Sequence, residues 1–88
     1  MYKYEEQKQE LFTDEGMRMF LRVRDFVHKT LAVSGAVRMQ EAMKAAQCGS
    51  SWTMAACVDR LVELGEIREI NQLDVPGQYR VFVSSNRG

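Results

Sequence analysis

Met19, Val23, Phe26, Val27 and Thr30 fall three and four residues apart, a spacing that puts them on one side of a helix. Thr13 and Asp14 are N-cap types, and Glu15 suits the positive end of a helix dipole. A first helix is therefore expected from about Thr13 or Asp14 to Leu31, with Phe20 and Leu21 widening its inward stripe. Arg18, Arg22 and Lys29 then occupy a solvated face. Ser34-Gly35 signals a turn, and Ala36-Val37 reads as a short extended link.

A second helix is predicted from Arg38 to Gln47, where Met39, Ala42, Met43 and Ala46 repeat with helical spacing. Cys48-Gly49-Ser50-Ser51 breaks it and supplies an N-cap serine for a third helix, Ser51 to Leu64. Met54, Cys57, Val58, Leu61 and Leu64 should face inward there, and Trp52, Ala55, Ala56, Asp59, Arg60 and Glu63 outward. Gly65 is placed to end the helix in a left-handed cap. Beyond it the period changes to two: Ile67 to Ile70 and Tyr79 to Val83 read as the strands of a hairpin, with Pro76-Gly77 suited to a type II turn.

Residues 1–13 form an arm or an extra helical turn, residues 14–83 the domain, and residues 84–88 a tail. A chain of 88 residues with 45% hydrophobic side chains has material for one small core and no second domain. The expected class is α+β, mainly α, and an all-helical domain with an unstructured C-terminal segment is the alternative. The start Met1-Tyr2-Lys3-Tyr4-Glu5-Glu6 matches neither a spanning helix nor a signal peptide, so a soluble, cytoplasmic protein is expected.

Charge narrows the chemistry. Lys plus Arg and Asp plus Glu both number 12, so no overall basic field points to nucleic acid, and any such binding must rest on a local patch. The two cysteines, Cys48 and Cys57, and the one histidine, His28, lack metal-ligand spacing and lie beside no third group that would activate a nucleophile. Buried structural thiols are the plainer reading. We therefore expect no enzyme, no cofactor and no metal.

Helix, short link, helix, tight turn, helix and hairpin is the order of a winged helix. Ser50-Ser51-Trp52-Thr53-Met54, followed by Val58, Leu61, Gly65 and Ile67, resembles the recognition segment of winged helix-turn-helix DNA-binding domains. The resemblance covers about residues 14 to 83 and is generic across bacterial and phage regulators. It implies a three-helix winged helix with a C-terminal two-stranded wing, whose third helix enters the major groove by its N-terminal half. Carried onto this chain, the recognition-helix base readers are Ser51, Trp52 and Thr53, with Ala55 and Ala56 allowing close approach and Arg60 reaching phosphate or guanine. Arg38 and Lys44, with Gln78 and Arg80 on the wing, would contact the backbone. Arg38 departs from the Ser or Thr common at that helix start. The implied function is that of a small transcriptional regulator, bacterial or from a phage or prophage, binding double-stranded DNA, with a homodimer as a possible state.

Ordinary roles compete with each assignment. Trp52 can fold back over the helix junction, and Arg60 can pair with Asp59 or Glu63. Asp59 and Glu63 would repel phosphate if the whole helix lay in the groove. From Pro76 onward the chain holds Arg80 and Arg87 and no acid, a modest basic end. The alternative function is a winged-helix protein-interaction module without DNA binding, using Trp52, Phe82 or the arm Tyr2-Lys3-Tyr4.

Overall fold

The computed structural model describes residues 2–46, 51–70 and 79–85. Its elements in chain order are α1 (Tyr4–Gln7), a 3-10 helix (Lys8–Phe12), α2 (Asp14–Ser34), β1 (Val37–Arg38), α3 (Met39–Ala46), α4 (Ser51–Glu63), β2 (Ile67–Glu69) and β3 (Val81–Ser84). This is a mainly helical α+β fold with a three-stranded antiparallel sheet in the order β1-β3-β2.

Thr13 caps α2 as its residue type requires: its hydroxyl accepts from the Gly16 N–H at 3.0 Å and donates to the Glu10 carbonyl at 2.8 Å. The helix runs to Ser34, three residues beyond the expected Leu31. Gly35 supplies the stop, adopting φ 80° and returning its N–H to the Leu31 carbonyl. Gly65, at φ 79°, turns the chain out of α4 in the same left-handed way.

Arg38 has no side-chain acceptor for the start of α3, and Glu41 takes over by accepting the Arg38 N–H at 3.0 Å. That is the glutamate half of a capping box, and it answers the weak cap that Arg38 implied. The Ala36-Val37 link does more than connect. Val37 and Arg38 pair with Phe82 and Val81, so β3 is the central strand, and β2 completes the sheet through Ile67↔Ser84 and Glu69↔Phe82. The tip of the expected hairpin, including Pro76-Gly77 and Gln78, lies outside the described residues, as does the turn from Gln47 to Ser50.

The core gathers Met19, Val23 and Val27 of α2, Met39 and Ala42 of α3, and Cys57, Val58 and Leu61 of α4. Val37, Ile67 and Phe82 join it from the sheet. Three placements differ from the helical pattern. Leu21 is 53% exposed and Leu64 47% exposed, whereas Ala56 is fully buried. One contact explains Ala56: Leu11 of the 3-10 helix enters the core, and Tyr2 and Tyr4 pack against it, so α4 is covered on a second side. Residues 2–12 are therefore built into the domain. No helix among the described residues is long and apolar enough to cross a membrane.

Candidate nucleic-acid interface

The outer face of α4 is where DNA readers were expected, and the arm lies along it. Tyr2 donates its hydroxyl to Asp59, and Tyr4 donates to Glu63 at 2.6 Å. Lys8 reaches Glu63 at 2.8 Å and Arg60 reaches it at 2.7 Å. The hydrogen bond from Lys8, followed by those from Tyr4 and Arg60, holds the Glu63 carboxyl down at about 2. Burial first, and then the bond to a carboxylate, pushes both tyrosine hydroxyls above the usual tyrosine range. The two carboxylates that would repel phosphate are thus each engaged from within the chain.

Arg80 closes the other side of this cluster. Its guanidinium contacts Glu69 through Nε and Nη2 at 2.9 and 2.8 Å, and contacts Asp59 at 2.9 Å. It also stacks 5.1 Å from the Phe82 ring centre. The Glu69 hydrogen bonds dominate its environment, raising its pKa against the cost of burial and lowering that of Glu69. With its side chain 24% exposed between two acids, Arg80 ties the sheet to α4.

The nine expected contact residues therefore separate. Ser51 and Trp52 lie exposed on the first turn of α4, Thr53 is half-buried behind them, and Arg38 and Lys44 are exposed on β1 and α3. Ala56 is turned into the core and offers no surface for close approach. Arg60 is paired with Glu63 and sits 5.5 Å above the Phe12 ring, and Arg80 is occupied as above. Gln78 lies outside the described residues.

What the exposed turn borders is a groove of about 190 Å³ lined by Tyr2, Met39, Met43, Ser51, Trp52, Ala55 and Arg80. Trp52, 43% exposed, forms part of its wall. Exposed Lys3, Arg38 and Lys44 are the immediate chain neighbours of lining residues Tyr2, Met39 and Met43. Lys3, Tyr2 and Met43 had no place among the expected DNA contacts, Tyr2 and Lys3 being expected only against a protein partner, because nothing local in the chain says that residue 2 will meet residue 59. The one hint was that Tyr2, Tyr4, Leu11 and Phe12 are the only large apolar groups after Met1 in an otherwise polar arm. Among the described residues no group of three His, Cys, Asp or Glu could hold a metal ion. Compared with known proteins, the chain matches no family model, no curated protein and no solved structure.

Proposed function

We propose that this chain is a small winged-helix protein that binds double-stranded DNA as a bacterial or phage transcriptional regulator, using only the N-terminal turn of its α4. The observation that carries the reading is the exposed turn Ser51-Trp52, following α3 in a helix, strand, helix, helix, strand, strand order. Ser51 and Trp52 would meet base edges, Trp52 by apolar contact with a thymine methyl group, and Arg38, Lys44 and Lys3 would meet phosphates. Arg60 and Arg80 are left out, since each would have to abandon a carboxylate to reach DNA. The covering of the α4 centre by the arm limits docking to the helix end.

Titration against a mixed duplex pool at two salt concentrations tests this. Three phosphate contacts predict a log-log salt slope near −2.7, and Lys44→Ala should flatten it by ~1. Trp52→Ala should change sequence preference instead. Absence of salt-dependent binding at low ionic strength would refute the proposal. A second reading, a protein-interaction module, is favoured by one observation: the Trp52 groove is walled largely by Met39, Met43, Tyr2 and Ala55. A surface that joins aromatic side chains to adaptable methionines suits a partner side chain.

A further inference from the structure

On α2, Asp14, Met17, Leu21, Arg24 and His28 recur every three or four residues, and all five are exposed. Met17 is 43% exposed and Leu21 53%; Phe12, at 57%, and Leu64, at 47%, are the other large apolar residues exposed near this end of the molecule. Phe12, Met17 and Leu64 line one hollow of about 80 Å³ together with Leu11, Phe20 and Arg60. Leu21 stands one helical turn beyond Met17, outside that hollow. The surface thus carries a hollow and a knob side by side.

We infer that this surface is the contact between two copies of the chain, related by a two-fold axis crossing α2 near Met19. An isologous interface requires one patch to be its own complement. Antiparallel packing of α2 on its symmetry mate puts Met17 against Leu21 of the mate, and each Leu21 into the hollow of the other copy. The same register sets Asp14 opposite Arg24 at both ends. Arg24 is already steadied by Glu66, which accepts from its Nε at 2.9 Å.

Area supports a second copy as the occupant. The stated exposures of Phe12, Met17, Leu21 and Leu64 amount to about 400 Å² of apolar surface, in the range of the largest, often functional patch on a small protein. Counted on both copies, with a polar rim in the usual proportion, that is roughly 1,300 Å², within the size of a stable interface. The inference does not depend on DNA binding and would stand if that reading failed.

Sedimentation equilibrium of the full chain from about 1 μM to about 1 mM tests it over the range where such contacts dissociate. A monomer-dimer equilibrium is expected. Leu21→Glu should weaken it by about a hundredfold, because each dimer loses two buried leucines. Val33→Glu makes a similar change to an exposed apolar residue of the same helix, 88% exposed and outside the patch, and should leave the equilibrium unchanged. Circular dichroism checks that each variant is folded, and Met17→Gln replaces Leu21→Glu if the latter is not. Asp14→Lys and Arg24→Glu should each weaken self-association, and mixing the two should restore it by placing opposite charges at both ends. A chain that stays monomeric throughout overturns the inference, including one in which some other protein covers the patch. Equal effects of Leu21→Glu and Val33→Glu would overturn it too, and so would failure of the mixed charge variants to associate.

Discussion

Gly16→Ala sets two physical effects against each other. On helix propensity alone, alanine in place of an interior glycine stabilises by about 1 kcal/mol. Gly16, however, is buried in the first turn of α2, and an added Cβ would stand 1.8 Å from the Glu10 carbonyl oxygen and 2.9 Å from the Leu11 Cα. Both are backbone, so no side chain can swing aside. The arm must move outward by more than an ångström or detach. Detachment withdraws Leu11, 3% exposed, from the core, which costs about 1.5–3 kcal/mol before the packing of Tyr2 and Tyr4 is counted. Overpacking without detachment falls in a similar range of about 1–3 kcal/mol. After the propensity gain, a net loss of about 0.5–2 kcal/mol remains, a fall in Tm of roughly 2–16 °C for a domain of this size. Thermal unfolding followed by circular dichroism reads the magnitude, and hydrogen exchange reads the cause. Amides of residues 2–12 should exchange faster in Gly16→Ala. They should not in Gly35→Ala, where the glycine has φ 80° and open space around it. A Gly16→Ala protein that melts at or above the unmodified protein, with the arm still protected, would refute the reasoning.

Leu61→Ala should destabilise by about 2–4 kcal/mol, since Leu61 is fully buried in the core and truncation leaves a cavity; a denaturant titration would show the midpoint fall at unchanged slope. Arg80→Ala should cost about 1–3 kcal/mol by removing the arginine partner of Glu69 and leaving Asp59 with Tyr2 but no countercharge, whereas Lys44→Ala should leave the melt unchanged and act only on DNA. The two melts, run side by side, separate an arginine built into the fold from a lysine free to meet phosphate. Acid should loosen the arm. The folded Glu63 carboxyl titrates at about 2 rather than 4.5, so its contribution is present above the ordinary value and is lost as pH falls from about 4.5 toward 2. Glu63→Gln should flatten the dependence of Tm on pH in that window, and an unaltered profile would show that the Lys8 and Tyr4 contacts contribute nothing in solution.

Local physics made much of the fold legible. Thr13 as cap, the stripe of Met19, Val23 and Val27, the inward Cys57, Val58 and Leu61, the left-handed Gly65 and the extended runs beyond it all depend on residues within a turn or two of each other. The five-residue spacing from Leu21 to Phe26 could not say how wide the buried stripe is. Leu21 is exposed because the elements packed on α2 stop short of it, a fact of assembly rather than of period.

Three features were decided only by tertiary structure. Val37 and Arg38 form a strand because β3 presents an open edge to them, and pairing of that kind has no local signature in two residues. Ala56 is buried, and Asp59 and Glu63 are partnered, because the arm crosses a helix more than forty residues away. Arg80 leaves the candidate interface through contacts of similarly long range, to Asp59 and Glu69, while Ser51, Trp52, Arg38 and Lys44 stay on it. Gly16 marks a close backbone approach within the packing of the arm, yet in the sequence it is only a glycine inside a helix. Periodicity records which side of an element is apolar; what eventually covers the polar side depends on contacts between residues far apart in the chain, and those are settled when the chain closes on itself.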